Sequence, residues 1–111
     1  MSECNAKALT QLAKTSAEDL KGKDITVLDL KGRATFTDVM VFVTGTSTRH
    51  VKSIALNIVE DSKKAGCQPI GSEGETDAEW VLIDLGDVIV HVMTKDSRDF
   101  YQIEDFWTKE V

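Results

Sequence analysis

Between Trp80 and Lys95 the chain reads Trp-Val-Leu-Ile-Asp-Leu-Gly-Asp-Val-Ile-Val-His-Val-Met-Thr-Lys, and this stretch leaves few choices of fold. Two strand-forming runs, Trp80–Leu85 and Val88–Lys95, flank the pair Gly86-Asp87. A two-residue loop with Gly first suits a type II′ hairpin turn, because only glycine enters the required positive φ without strain. That turn sets the register: Leu85 faces Val88, Ile83 faces Val90 and Val81 faces Val92. These six side chains form one wholly aliphatic face that has to be core. On the other face Asp84 lies across from Ile89, Leu82 from His91 and Trp80 from Met93. Large apolar side chains rimmed by charge describe protein interfaces, and they describe equally a sheet face that a helix covers. The pattern alone leaves both open.

The flanking sequence supplies a sheet for this hairpin to join. Residues 5–21 place Ala6, Leu9, Leu12, Ala13 and Leu20 on one helical face, with Gly22 as a stop. Asp24–Leu30 alternates and is β-branched, hence a strand, and Lys31-Gly32-Arg33 is the turn after it. Thr37–Thr44 is nearly continuous in apolar residues, as in a central strand covered on both faces. Thr46 or Ser47 then caps a helix carrying Val51, Ile54, Ala55, Ile58 and Val59, with Lys63 and Lys64 in its last turn and Gly66 as a left-handed exit. Residues 67–79 hold the only proline and read as a loop, with a short edge strand around Cys67–Ile70. Past the hairpin, Asp96 or Ser97 caps a last helix, Arg98–Trp107, on which Tyr101, Glu104 and Trp107 recur at three-residue steps. The order is helix, two strands, helix, two or three strands, helix. It predicts one α/β (α+β) domain with a single mixed sheet over residues 1–111.

Charge is divided unevenly. The net charge is −6, yet residues 1–71 hold ten Lys/Arg against eight Asp/Glu while residues 72–111 hold three against eleven. An acidic second half repels phosphate backbones and steers toward a cationic protein surface. Only three arginines are present and no basic stripe is interleaved with aromatics, so dedicated nucleic-acid binding is not expected. No apolar run approaches the roughly 18 residues of a membrane span. Met1-Ser2-Glu3-Cys4 offers neither the basic start nor the apolar core of an export signal, and a cytoplasmic protein is expected. Cys4 and Cys67 lack metal-ligand spacing and are expected as free thiols in a reducing compartment.

Three patterns invite a chemical reading. Gly45-Thr46-Ser47 stands at a strand-to-helix junction, where backbone amides and the helix dipole can hold a phosphate. Nucleotidyltransferases use a similar Gly-Ser turn, followed by paired carboxylates on a neighbouring strand that hold a divalent metal. Here Asp84 and Asp87 flank a turn and cannot both project from one strand face, Glu60-Asp61 lies within a helix, and no Walker-type lysine follows the turn. Ser47 and His50 stand in nucleophile–base spacing without an elbow motif or a third orienting carboxylate. His91 has no second histidine near it in sequence with which to ligate a metal. Neither catalysis, a metal nor a cofactor is expected.

Three segments, taken together and in order, carry a family resemblance: Thr37-Asp38 through Val43-Thr44-Gly45-Thr46-Ser47-Thr48-Arg49-His50; Glu73-Gly74 followed by Glu79–Met93; and Arg98-Asp99-Phe100-Tyr101-Gln102-Ile103-Glu104 ending in Trp107. The chain resembles the ribosomal silencing factor S family, also called Iojap-like proteins, over nearly its whole length. The resemblance implies a nucleotidyltransferase-like fold that has lost its catalytic carboxylates. It implies a translational repressor that binds the large ribosomal subunit through ribosomal large-subunit protein fourteen, sterically blocks joining of the small subunit when nutrients are scarce, and forms homodimers off the ribosome. Relatives in mitochondria and plastids act in ribosome assembly, which is the alternative role; metal-dependent nucleotidyl transfer is the remote one. The absence of a transit peptide points to the bacterial cytosolic kind. The family's contact surface lies on the sheet and C-terminal segment. Carried onto this chain it implies partner-binding roles for Trp80, Asp84, Asp87, His91, Met93, Tyr101 and Glu104, with Trp80, Met93 and Tyr101 as apolar anchors and Asp84, Asp87 and Glu104 as partners for cationic side chains. Gly74 and Gly86 are read as serving backbone geometry.

Overall fold

The structure is a computed structural model and describes residues 4–32 and 37–108, with Trp107 and Thr108 placed by their backbone alone. The elements run α1 (Ala6–Asp19), β1 (Lys23–Asp29), β2 (Val39–Gly45), α2 (Thr48–Lys64), β3 (Gly71–Glu73), β4 (Trp80–Asp84), β5 (Val88–Thr94), α3 (Lys95–Tyr101) and α4 (Ile103–Thr108). They build one α+β domain around a five-stranded mixed sheet of order β1-β2-β5-β4-β3. Only the β2–β5 pair is parallel; the other neighbours are antiparallel.

The hairpin sits where its pattern requires. Val81 pairs with Val92, Ile83 with Val90, Trp80 with Met93, Leu82 with His91 and Asp84 with Ile89, and Leu85 N–H donates to Val88 O at 2.9 Å. Gly86 takes the positive φ of the turn, 97°. The aliphatic face of the hairpin, with Val41 and Val43 of β2, packs under α1 and α2 through Leu9, Ala13, Ala17, Val51, Ile54, Ala55 and Ile58. Small residues let the two helices approach, and Asn57 Nδ2 spans the gap to Ser16 O at 3.0 Å and Ser16 Oγ at 2.9 Å. Burial of roughly ten aliphatic side chains on this one face is the main source of stability, at about 1.5–3 kcal/mol each before the ordering entropy is set against it.

Several boundaries differ from those read in the sequence. The residue that leaves α1 in left-handed conformation is Lys21 (φ 62°) and not Gly22. The edge strand follows the Cys67–Ile70 segment as β3, where Ile70 N–H already donates to Asp84 O at 2.8 Å. The last helix starts earlier, capped by Thr94, whose Oγ1 accepts from Ser97 N–H, and it breaks at Gln102 (φ 49°) before α4 begins. Arg33, expected in the β1–β2 turn, lies outside the described residues.

Cys4 and Cys67 are not free. They form a disulfide across Cα atoms 5.7 Å apart, joining the chain before α1 to the loop after α2. Neither the number of cysteines nor an expected compartment carries the tertiary proximity of two residues 63 apart in sequence. Cysteine usage therefore gives no argument for a reducing compartment. No helix among the described residues is long and apolar enough to cross a membrane.

Candidate functional site

The sheet's second face is only partly covered. Its floor is Leu30, Met40, Phe42, Ile89 and Met93, with Leu28, Trp80, Leu82 and Ile103 partly buried around it. Among the described residues no long helix packs here; α3 and α4 close one end. Over that end stand Phe100 and Tyr101, 79% and 51% exposed, and Phe106 of α4 is 70% exposed.

A line of stacked groups runs across this face. Phe42 lies parallel to the His91 ring at 4.7 Å and 7°. Trp80 tilts against His91 at 5.9 Å and against Tyr101 at 5.0 Å. Tyr101 meets Phe100 edge-on at 5.0 Å. At the other end, the Arg98 guanidinium sits 5.9 Å from the Phe42 ring centroid. Such contacts add about 0.5–1.5 kcal/mol per aromatic pair beyond the area they bury, and each fixes the orientation of the next ring.

Arg98 anchors the C-terminal segment. Its Nε donates to Glu104 Oε1 at 2.5 Å and its Nη2 to Glu104 Oε2 at 3.1 Å, a bidentate pair. Nη1 reaches Asp24 O at 2.5 Å and Thr44 Oγ1 at 2.8 Å, and Nη2 reaches Thr26 Oγ1 at 2.9 Å. One planar fork thus ties α3, the first turn of α4, and both strands of the β1–β2 pair together. The break at Gln102 lets Glu104 turn back onto the arginine. Beside it a groove is lined by Asp24, Asp99, Glu104 and Asp105 against Lys95 and Arg98, an excess of carboxylate consistent with the acidic second half.

The residues singled out from the sequence occupy three kinds of place. Trp80 and Tyr101 meet on the surface, as does the apolar end of Leu82 beside them. His91 and Met93, expected as contact residues, lie beneath that surface, 4% and 1% exposed. The cause is that β5 is the central strand, with neighbours on both sides and a partial second layer over its outer face. Asp84 and Glu104 are engaged within the chain: Asp84 Oδ1 accepts from Gly86 N–H at 2.9 Å and so braces the turn, and Glu104 pairs with Arg98. Asp87 is exposed at the hairpin tip, while its carbonyl accepts from Asp38 N–H, Val39 N–H and the Thr37 hydroxyl. The side chain of Trp107 lies outside the described residues. Phe100, Phe106 and Arg98 were not singled out; the dipeptide Phe100-Tyr101 and the charge reversal at Arg98 were the available signals.

Burial gives His91 a distinct state. Desolvation pushes its pKa down from 6.5 to about 4, so the ring is neutral at pH 7. Its Nδ1 accepts the indole N–H of Trp80 at 3.0 Å.

The Gly45-Thr46-Ser47 turn is occupied by its own neighbours. Ser47 Oγ accepts from His50 N–H at 3.1 Å and caps α2. Thr46 N–H donates to His50 Nδ1 at 2.9 Å, while His50 Nε2 donates to Leu20 O at 2.6 Å. Both ring nitrogens are thereby spent on backbone groups, joining the end of α1 to the start of α2. The hollow in front of the turn is lined by Glu79 and Asp96 as well as Lys95, which disfavours an anion. Ser47 and His50 are a cap and a latch.

These observations define a class: a single α+β domain closed by helices on one sheet face and presenting aromatic rings and carboxylates on the other. The chain matches the family described as Ribosomal silencing factor during starvation over residues 3–111. It is 42% identical over 100 residues to the ribosomal silencing factor of Haemophilus influenzae, covering 90% of this chain and 98% of that protein. A crystal structure of protein CV0518 from Chromobacterium violaceum superposes with a TM-score of 0.91 at 42% identity, covering 95% of this chain and 88% of that one. A mouse protein named Mitochondrial assembly of ribosomal large subunit protein 1 is 30% identical over 89 residues, covering 78% of this chain and 39% of its own. The chain belongs to the ribosomal silencing factor family.

Proposed function

We propose that this protein represses translation by binding the large ribosomal subunit through ribosomal large-subunit protein fourteen and occupying space the small subunit needs in order to join. The observation that carries the reading is the half-covered sheet face, where Trp80 continues into exposed Tyr101 and Phe100. A monomer seldom leaves several adjoining rings in water unless they meet a partner. The carboxylates around that face favour a basic partner surface such as a ribosomal protein offers. The mechanism is exclusion and requires no catalysis, no cofactor and no membrane. It operates in the cytoplasm, and off the ribosome a second copy of the chain can cover the same rings.

The test is co-sedimentation with purified large subunits, followed by addition of small subunits. The wild-type protein is expected to travel with large subunits and to lower the yield of joined ribosomes. Recovery of joined ribosomes at saturating protein would refute blocking, and failure to co-sediment would refute binding. A second reading, action during assembly of the large subunit, draws support from the name of the mouse relative. Gradient profiles of cells lacking the protein separate the two: precursor particles mark assembly, excess joined ribosomes under starvation mark silencing.

A further inference from the structure

His91 is costly where it stands. Because an indole N–H can only donate, Nδ1 is the acceptor of the Trp80 bond and the imidazole proton is on Nε2. That Nε2 is buried and has no hydrogen-bond partner among the described residues. A phenyl ring would fill the same place, lie equally well against Phe42 and carry no buried Nε2–H without a partner. What the imidazole supplies and a phenyl cannot is an acceptor for the indole. Trp80 in its turn bears on Tyr101, and Tyr101 on Phe100, the two exposed rings of α3. The orientation of the outer rings is therefore built on one hydrogen bond made beneath them.

We propose that His91 is a positioning residue of the docking face: its Nδ1 holds the Trp80 indole in one orientation, and Trp80 so held seats Tyr101 for the partner. This rests on the docking reading of the same face given above. Without the acceptor, the indole N–H finds a partner only in water, by turning away from His91 and loosening its contact with Tyr101. A partner would then have to order two aromatic side chains that the native protein presents already ordered. Losing that preorganisation weakens binding by about three- to tenfold.

The experiment compares His91→Phe with His91→Gln. Phenylalanine keeps the ring on Phe42 and removes the acceptor; glutamine brings back an acceptor oxygen. Two measurements are made on each: affinity for purified large subunits, and the indole N–H signal of Trp80 in 15N-labelled protein, identified by its loss in Trp80→Phe. The expected result is that H91F melts cooperatively and binds three- to tenfold more weakly, with faster exchange of the Trp80 indole proton and loss of its cross-peaks to Tyr101, and that H91Q restores both. An indole signal and cross-peaks in H91F unchanged from wild type would overturn the proposal. So would equal loss of affinity in H91F and H91Q with the indole signal restored only in the second. If wild-type protein does not bind large subunits at all, the docking reading fails, while the indole signal still decides whether His91 holds Trp80.

Discussion

Acid should destabilise this protein through the buried imidazole of His91. His91 is neutral in the fold because burial lowers its pKa from 6.5 to about 4. In the unfolded chain it takes up a proton below its ordinary value near 6.5. Between those limits the unfolded state binds more protons, so stability is fully present above about pH 6.5 and is lost as pH falls toward 4. The linkage integral gives a loss of about 2 kcal/mol by pH 5 and about 3 kcal/mol by pH 4, from 1.36 kcal/mol per pH unit of proton-binding difference. Urea unfolding followed by circular dichroism, at constant ionic strength from pH 7.5 to 4, measures it. His91→Phe is the control, since it leaves every carboxylate in place and is expected within about 1 kcal/mol of wild type at pH 7. The difference between the two proteins should open from pH 6.5 downward and reach about 3 kcal/mol. Parallel curves for both proteins would rule His91 out and assign the acid lability to other groups.

Other perturbations follow from the same contacts. Trp80→Ala removes packing over Met93 and strands His91 Nδ1, so it should cost about 2–4 kcal/mol in urea unfolding and at least about 2 kcal/mol in subunit binding. Trp80→Phe should spare most of the first and part of the second. Arg98→Ala leaves Glu104, Thr26 and Thr44 without their shared donor; a loss of about 3 kcal/mol and fast amide exchange across α4 are expected, with β4 and β5 still protected. Gly74→Ala places a Cβ 2.1 Å from Trp80 O at a φ of 96°, and a destabilisation above about 2 kcal/mol should appear as a lowered urea midpoint. Reduction of the Cys4–Cys67 disulfide frees a long loop in the unfolded chain, and a loss approaching about 4 kcal/mol is expected in thermal melts with and without dithiothreitol.

The parts of this fold that were legible in the sequence are those with a local cause. The register of β4 and β5 follows from period-two alternation pinned by Gly86-Asp87, and the structure repeats it pair for pair. The buried face of α2 follows from the spacing of Val51, Ile54, Ala55 and Ile58. What could not be read depended on partners distant in the chain. His91 lies on the face of the hairpin whose pattern fits core and interface alike, and the parallel pairing with β2, the Phe42 ring and the Trp80 indole bury it. The break at Gln102 opposes the helical periodicity of the segment; it is imposed by Glu104 reaching Arg98, itself held by Asp24, Thr26 and Thr44 from the opposite end of the chain. The disulfide required two loops to meet. In the proposed docking face, Trp80 and Tyr101 were legible as large aromatics at rimmed positions, whereas the division between rings that face outward and groups that support them from below was not.

We propose that the aromatic sheet face, and not the helical layer behind it, meets the large ribosomal subunit. Co-sedimentation of purified large subunits with two variants decides it. Phe100→Ala/Tyr101→Ala removes two exposed rings of the proposed face, and Leu56→Ala removes an apolar side chain, 52% exposed, from α2 on the opposite side. The expected outcome is that the double variant, still folded by circular dichroism, loses at least about thirtyfold in affinity, the equivalent of a hot spot of about 2 kcal/mol, while the Leu56 variant binds as wild type. Binding retained by the double variant and lost by the Leu56 variant would place the contact on the helical layer instead.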